Sequence, residues 1–413
     1  MSTNKFYNNL NCHNSYFSKL YKYTKLILMK IITLVLIVIV LSCQDIGKDY
    51  NWNGDSYSGF NRNFGNIGYD YGWSVAYSQY DENIILTGSR ESTIQGDKDL
   101  WAIKTNNRGL TIFDKKFGGN RNEEGLDVIS TRDGGYVFVG YTWSFGNEQQ
   151  IYLIKTDLTG KVKWEKSYGG SMWDVGESVI ELKNGGYLVV GHSNSPGISS
   201  GNSDLLLLRL NEDGEKIWMK AFGNSEFPNH EWGYDVIELY DNSFICVGAR
   251  DRYNEGSKNM LISRISENGK LIWEKEILGN GQESETAYSI SITRDGKIYI
   301  SSGTNLESKK NVFMPAITKI DAFGNIEWRR VFNSNSREYH QFRASGTKNG
   351  NLIIAGTSMQ NTSLGYKSDA FITRIDSNGN ILWTNAYGTA DEDDWGWNLI
   401  EKPDGDIIMI GST

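Results

Sequence analysis

The chain has 413 residues, 39% of them hydrophobic, which is enough apolar material for a sizeable core. Its formal net charge is −8, and no Lys/Arg cluster stands out, so phosphate-led recognition of nucleic acid is not expected. Aromatics reach 13% and glycine counts 45 against only 4 prolines, a balance that suits many short strands joined by tight turns.

Residues 1–28 are polar, rich in Asn and Tyr, and without pattern; they read as an extended or non-native start. Met29-Lys30 opens a second, better start. An apolar run follows from Ile31 to Leu41, broken only by Thr33. As a helix it spans roughly 16 Å, too short for a hydrocarbon core of about 30 Å. A charged start, a short apolar run and a small residue before the cut describe a signal peptide over 29–42. Val40-Leu41-Ser42-Cys43 resembles the bacterial lipobox, which implies lipidation at Cys43 and a lipid-anchored protein of the cell envelope, most simply at the outer membrane. Residues 43–57 then form a linker, and 58–413 form the folded domain. Past Cys43 the only cysteine is Cys246, inside the apolar run Phe244–Val247. It reads as a small core residue, and no internal disulfide is possible.

Phe60 to Gly65 opens the domain, and a repeat of 51–57 residues follows. One glycine recurs at 88, 140, 191, 248, 303, 356 and 411. A second recurs at 109, 160, 214, 269, 324 and 379. Four residues after it stands an aromatic: Phe113, Trp164, Trp218, Trp273, Trp328 and Trp383. Each unit holds four short apolar runs. Asp133-Gly134, Asn184-Gly185, Asp295-Gly296 and Asp404-Gly405 are hairpin turns needing positive φ. The expected fold is all-β: a seven-bladed β-propeller of four-stranded antiparallel blades. The chain ends two strands into the seventh unit. Phe60–Gly65 matches a fourth strand, so the last blade is expected to be closed by this N-terminal strand.

The stretch Thr156-Asp157-Leu158-Thr159-Gly160-Lys161-Val162-Lys163-Trp164 is similar to the tryptophan-docking motif of quinoprotein-dehydrogenase-like (PQQ-like) propellers. The units resemble those of bacterial surface lipoproteins with this repeat, some of them labelled endoglucanase-like. That resemblance implies the fold and leaves activity open. Quinoproteins carry adjacent cysteines, and this chain has none, so no quinone and no other cofactor is expected.

Short glycine turns fall on one face of the disc and long polar loops on the other, which is the expected binding face. An acidic residue recurs before each first strand: Asp70, Glu123, Asp174, Glu231, Glu285 and Asp394, with Tyr339 in the sixth unit. It reads better as a turn cap or a tie between blades than as a cation or acid–base site, because catalytic groups break a repeat's symmetry. The residues that do break it are the candidate ligand-binding set: Tyr71, Trp173, Trp232, His340 and Trp395, with Glu231 and Asp394 beside them. The aromatics after the first-strand glycine (Trp73, Tyr234, Tyr288, Phe342, Trp397) are expected to pack between blades. His192, His230 and His340 fall in different units without ligand spacing, so no metal is expected. No catalytic motif appears in a supporting context. The expectation is a monomeric, non-catalytic binding or scaffold module for a glycan, a peptide or a partner protein. The alternative is a carbohydrate-active, endoglucanase-like hydrolase.

Overall fold

Alternating apolar runs separated by Gly turns fold here into antiparallel meanders. The computed structural model describes residues 61–65, 69–91, 97–200, 202–223, 229–251, 257–277, 284–305, 313–332, 337–362, 365–388 and 393–413. Cys43 and Phe60 lie outside them, as do Asp391 and Glu392. Blade 2 shows the pattern. Its strands Glu123–Ser130, Tyr136–Thr142, Gln150–Thr156 and Val162–Tyr168 pair in sequence order, each antiparallel to the next. Six such four-stranded blades follow one another, and a seventh sheet holds two strands, Trp395–Glu401 and Ile407–Ser412. The first strands neighbour one another around the whole circle, Trp395–Glu401 against Tyr71–Tyr77 included. The protein is an all-β propeller.

The middle strands of each blade are buried on both faces, and the fourth strands are half exposed. Each core therefore lies between two blades. Val137, Val139, Ile151 and Leu153 of blade 2 pack on Val179, Val189 and Leu206 of blade 3. A side chain fully buried there, such as Ile151, stabilises the fold by roughly 1.5–3 kcal/mol. Cys246 sits in the equivalent core of blades 3 and 4, free and fully buried, and burial pushes its thiol up.

The third-to-fourth-strand turns carry the blades' mutual docking. The six glycines from Gly109 to Gly379 all have φ between 69° and 80°. A Cβ on Gly214 would lie 3.1 Å from the Trp164 ring, and one on Gly324 2.6 Å from Trp273. The indole N–H of Trp164 donates to the carbonyl of Glu212 at 3.1 Å, and that of Trp218 to Glu267 at 3.2 Å. Lys166 and Lys220 bind carbonyls of the same turns. The aromatics of blades 1 to 5 thus rest on the third-to-fourth-strand turn of the next blade. The first-to-second-strand turns use Gly134, Gly185, Gly296 and Gly405 as expected, and Glu82 and Asn242 take the same left-handed position in blades 1 and 4.

Two expectations need correction. Closure by an N-terminal strand is not found: residues 61–65 pair with no sheet. A fourth strand hydrogen-bonds to a third, and the seventh sheet stops at its second, so this segment has no edge to join. Phe64 instead packs, half-buried, against Trp101, Ile408 and Ile410 between the seventh sheet and blade 1. A small cavity lined by Phe64, Leu86, Trp101, Ile103 and Ile410 lies where third-strand side chains pack elsewhere. In blade 5 the repeat slips by one residue. Ser302, not Gly303, stands opposite the first strand in the glycine register, facing Ala287.

Candidate functional site

The site is built by a bulge that recurs in every first strand. In blade 2, Gly125 pairs with Gly140 and Asp127 with Val139, so Leu126 is an extra, unpaired residue. The same shift lies at Gly72/Ser74, Gly233/Asp235, Ala287/Ser289, His340/Arg343 and Gly396/Asn398, and blade 3 skips Glu177. The paired glycines make it possible. A Cβ on Gly191 would lie 1.8 Å from the carbonyl oxygen of Val175, and one on Gly176 2.6 Å from Val139 of the preceding blade. A bulge re-aims its residue, and here it turns Trp73, Leu126, Glu177, Tyr234, Tyr288 and Trp397 toward the central channel, while Phe342 of blade 6 is buried in the core between blades 5 and 6.

These residues divide the channel wall into three parts. At blades 7 and 1 an aromatic arc runs through four rings. Trp395 stacks on Trp397 (5.6 Å, 11°), Trp397 meets Trp73 (4.9 Å), and Trp73 stacks on Tyr71 (5.8 Å, 14°). The Trp397 indole donates to Ser412 Oγ at 2.9 Å. At blades 4 to 6 a second arc joins Tyr234 to Tyr288 (6.1 Å) and Tyr288 to Phe342 (6.4 Å). Gly303 leaves room for this pair, since a Cβ there would lie 3.0 Å from Tyr288.

Between the arcs, blades 2 and 3 supply two carboxyls. Glu124 accepts hydrogen bonds from Ser89 Oγ and Tyr141 OH, both at 2.9 Å. Glu177 Oε1 lies 3.7 Å from His192 Nδ1. Burial pushes Glu177 up to about 7 and His192 down to about 4, so near pH 7 the imidazole is neutral and the contact is no ion pair. Burial, with Glu124 beside it, also pushes the Tyr141 hydroxyl up.

One step further along each first strand a belt links the blades. Asn398 donates to Ser74 Oγ at 3.0 Å, Ser74 to Asp127 at 2.6 Å, and Ser178 to both Asp127 and Asp235 at 3.0 Å. The amides of Val179 and Ile290 close on Asp127 and Asp235, and that of Ala344 on Ser289 Oγ. The belt reads Ser, Asp, Ser, Asp, Ser, Arg, Asn, with Arg343 the one cation in it.

The residues singled out from the sequence fall into distinct places. Tyr71 and Trp395 belong to the aromatic arc, and Lys98 Nζ sits 4.6 Å over Tyr71. Trp232 stacks on His230 (5.5 Å, 9°) under Lys258 Nζ at 4.6 Å. Trp173 is 50% exposed on the long-loop face, edge-on to Trp143 at 6.3 Å. His340 pairs with Thr357 through its backbone. Glu231 and Asp394 are buried. Glu231 accepts from Arg250 Nε at 2.8 Å, its other oxygen has no partner among the described residues, and burial pushes it up to about 7 against the pull of Arg250. The other recurring acids behave as ties. Glu123 accepts from the Gly119 and Ser144 amides, and Asp174 from the Gly170 amide and Ser195 Oγ. The aromatics after the glycine meet one another along the channel. Glu177 and Arg343 were not singled out at all, although both depart from their columns once the units are aligned.

Seven inward-facing bulges on a closed circle of blades define a propeller whose channel mouth is its candidate binding site. No protein-family model matches the chain, and no curated protein does. Among solved structures it is similar to a polysaccharide lyase, the ulvan lyase of family PL25 bound to -[GlcA(1-4)Rha3S]-. The TM-score is 0.53 and the identity 8%, over 85% of this chain and 96% of that one. The lyase structure titled without that ligand gives a TM-score of 0.52 at 9% identity over the same shares. A protein of unknown function from Dyadobacter fermentans DSM 18053 gives 0.49 at 12% identity, over 84% and 96%. The first two likenesses establish the propeller fold and nothing finer.

Proposed function

We propose that this protein is a non-catalytic glycan-binding propeller, held as a monomer at the bacterial cell envelope by a lipid on Cys43. The observation that carries the binding reading is the arc Trp395–Trp397–Trp73–Tyr71. Four partly exposed rings at one channel mouth offer contiguous apolar faces to the C–H faces of a sugar chain. Tyr141 and Glu124, both partly exposed, supply polar partners a short way round the wall. The anchor rests on the run from Lys30 to Cys43, and the outer membrane is its simplest address. PQQ-like repeats are supported by the docking of the strand-four aromatics of blades 1 to 5 on the next blade's glycine turn.

The binding reading is tested with a glycan array probed by the full chain and by the Trp73→Ala/Trp397→Ala variant. Glycan capture by the parent that the variant loses supports it, and a silent array overturns it. Cys43→Ala should abolish lipid labelling and detergent partitioning; retained partitioning would refute the anchor.

A hydrolytic reading has one specific observation in its favour: Tyr141 feels both Glu124 and Glu177, two carboxyls on one channel wall, and burial pushes Glu177 up to about 7. Cleavage of a soluble polysaccharide panel, lost in Glu177→Gln, would replace the binding reading with this one.

A further inference from the structure

Arg343 stands where the belt's alternation calls for an acceptor. Blades 2 and 4 place Asp127 and Asp235 at this position, and blade 6 places a guanidinium. The burial of its flanking residues, Phe342 and Ala344, fixes the backbone beneath it. The charge of Arg343 is felt by Glu177 of blade 3 and Asp235 of blade 4, neither of which adjoins blade 6. Arg343 is itself only partly buried and none of its nitrogens is sealed from solvent, so the guanidinium opens toward the channel.

Hydrogen-bond capacity separates it from the carboxyls around it. Asp127 accepts from Ser74, Ser178 and the amides of Val128 and Val179. Asp235 accepts from Ser178 and the amides of Val236 and Ile290. Glu124 is held by Ser89 and Tyr141. Arg343, by contrast, donates to no acceptor and has no carboxylate within 4 Å among the described residues. None of its nitrogens is sealed from solvent, so the guanidinium offers accessible N–H donors to an incoming oxyanion. A planar guanidinium matches a carboxylate or a sulfate ester with two parallel hydrogen bonds. Glu177, held up to about 7 by burial, is substantially neutral at pH 7, which weakens the field opposing a second anion.

We infer that the bound glycan is an acidic one, and that Arg343 takes a carboxylate or sulfate substituent of a sugar seated against Tyr288, which is partly exposed. This rests on the glycan-binding reading above and names the ligand class. A monoanion is the fit, because a single guanidinium faces it with Glu177 and Asp235 nearby.

The test is calorimetric titration of the full chain in detergent micelles with three tetrasaccharides: a galacturonic acid tetramer, the same tetramer with its carboxyls reduced to hydroxymethyl groups, and a sulfated galactose tetramer. The expected result is that at least one acidic tetramer binds about tenfold more tightly than the neutral one. Which acid wins identifies the oxyanion. Arg343→Gln should bring acidic and neutral tetramers to within about twofold, and Arg343→Lys should keep part of the preference. Unaltered binding of the neutral tetramer by Arg343→Gln shows that the variant is folded. Equal binding of acidic and neutral tetramers by the parent overturns the inference, as does a preference that survives Arg343→Gln. In either case binding that Trp73→Ala/Trp397→Ala abolishes leaves the glycan reading standing. Binding of none of the three overturns both.

Discussion

Asn398 and Ser74 lie 324 residues apart in sequence, and their side chains meet at 3.0 Å, Nδ2 donating to Oγ. This bond joins the last sheet to the first. It continues the chain of side-chain hydrogen bonds that runs from Ser74 through Asp127 and Ser178 to Asp235. The propeller is thus tied at its inner rim, at the point where the outer strands of the seventh sheet are lacking among the described residues.

Removing this tie should be felt across the whole domain. Asn398→Ala leaves the Ser74 hydroxyl without its donor and frees the Leu399 amide, which donates to Asn398 Oδ1 at 2.7 Å. The expected loss is about 1–3 kcal/mol in urea unfolding. Asp127→Ala, which strands four donors, should cost more. Equal stability of the parent and Asn398→Ala would show that the bond contributes nothing to closure.

The docking tryptophans should not be equivalent. Trp164 covers Gly214 and donates to Glu212, so Trp164→Ala is expected to cost about 3 kcal/mol or more. Trp383 precedes the two-stranded sheet, which has no third-to-fourth-strand turn to receive it among the described residues. Trp383→Ala should cost clearly less. A thermal melt in which Trp383→Ala falls as far as Trp164→Ala would contradict the asymmetry.

Backbone positions give opposite signs. Gly191→Ala puts a methyl 1.8 Å from a carbonyl oxygen, and the bulge that aims Glu177 has to break; expression without folding, or a loss above about 4 kcal/mol, is expected. Glu82 holds φ at 57° where five other blades use glycine. Glu82→Gly should therefore stabilise, by about 1 kcal/mol, measured as a raised denaturation midpoint. A lowered midpoint would mean that the Glu82 side chain matters more than its backbone strain.

Glu177 makes stability fall as pH rises. Its folded value of about 7 exceeds the ordinary 4.5, so the native chain keeps a proton that the unfolded chain releases between those values. Asp235, pushed to about 6 by burial against the pull of Arg343, acts in the same sense. His192, pushed down to about 4, acts oppositely between about 4 and 6.5. Comparing variants isolates one group. The stability of Glu177→Gln relative to the parent should grow between pH 5 and pH 8 by on the order of 1–2 kcal/mol, allowing for a side chain 21% exposed. Parallel pH profiles for the two proteins would rule this out.

The blades were legible because their signals are local. A glycine in a turn with φ near 74°, an aromatic four residues later and a period-two apolar run each act within a few residues, and register follows from repetition. Burial of Cys246 was legible for the same reason. The recurring acids were readable as ties, since Glu123 and Asp174 bind amides four residues away in the turns before them. The slip at Ser302 and Gly303 was not, because the residue type at one position does not reveal which partner it faces across the ladder.

What the sequence by itself determined is therefore the repeated unit: its strands, its turns and the order of its landmarks. Tertiary structure alone decided which side chains share the channel. The bulge moves Trp73, Tyr288 and Trp397 from an expected place between blades to the channel wall and sets Glu177 beside them, and no local propensity encodes that rotation. The placement of Arg343 near Glu177 and Asp235 needs the circle to be closed, because those groups belong to blades that touch only through it. Closure likewise decided the fate of Phe64, which packs at the seam as a side chain because the sheet it resembles has no third strand to pair with.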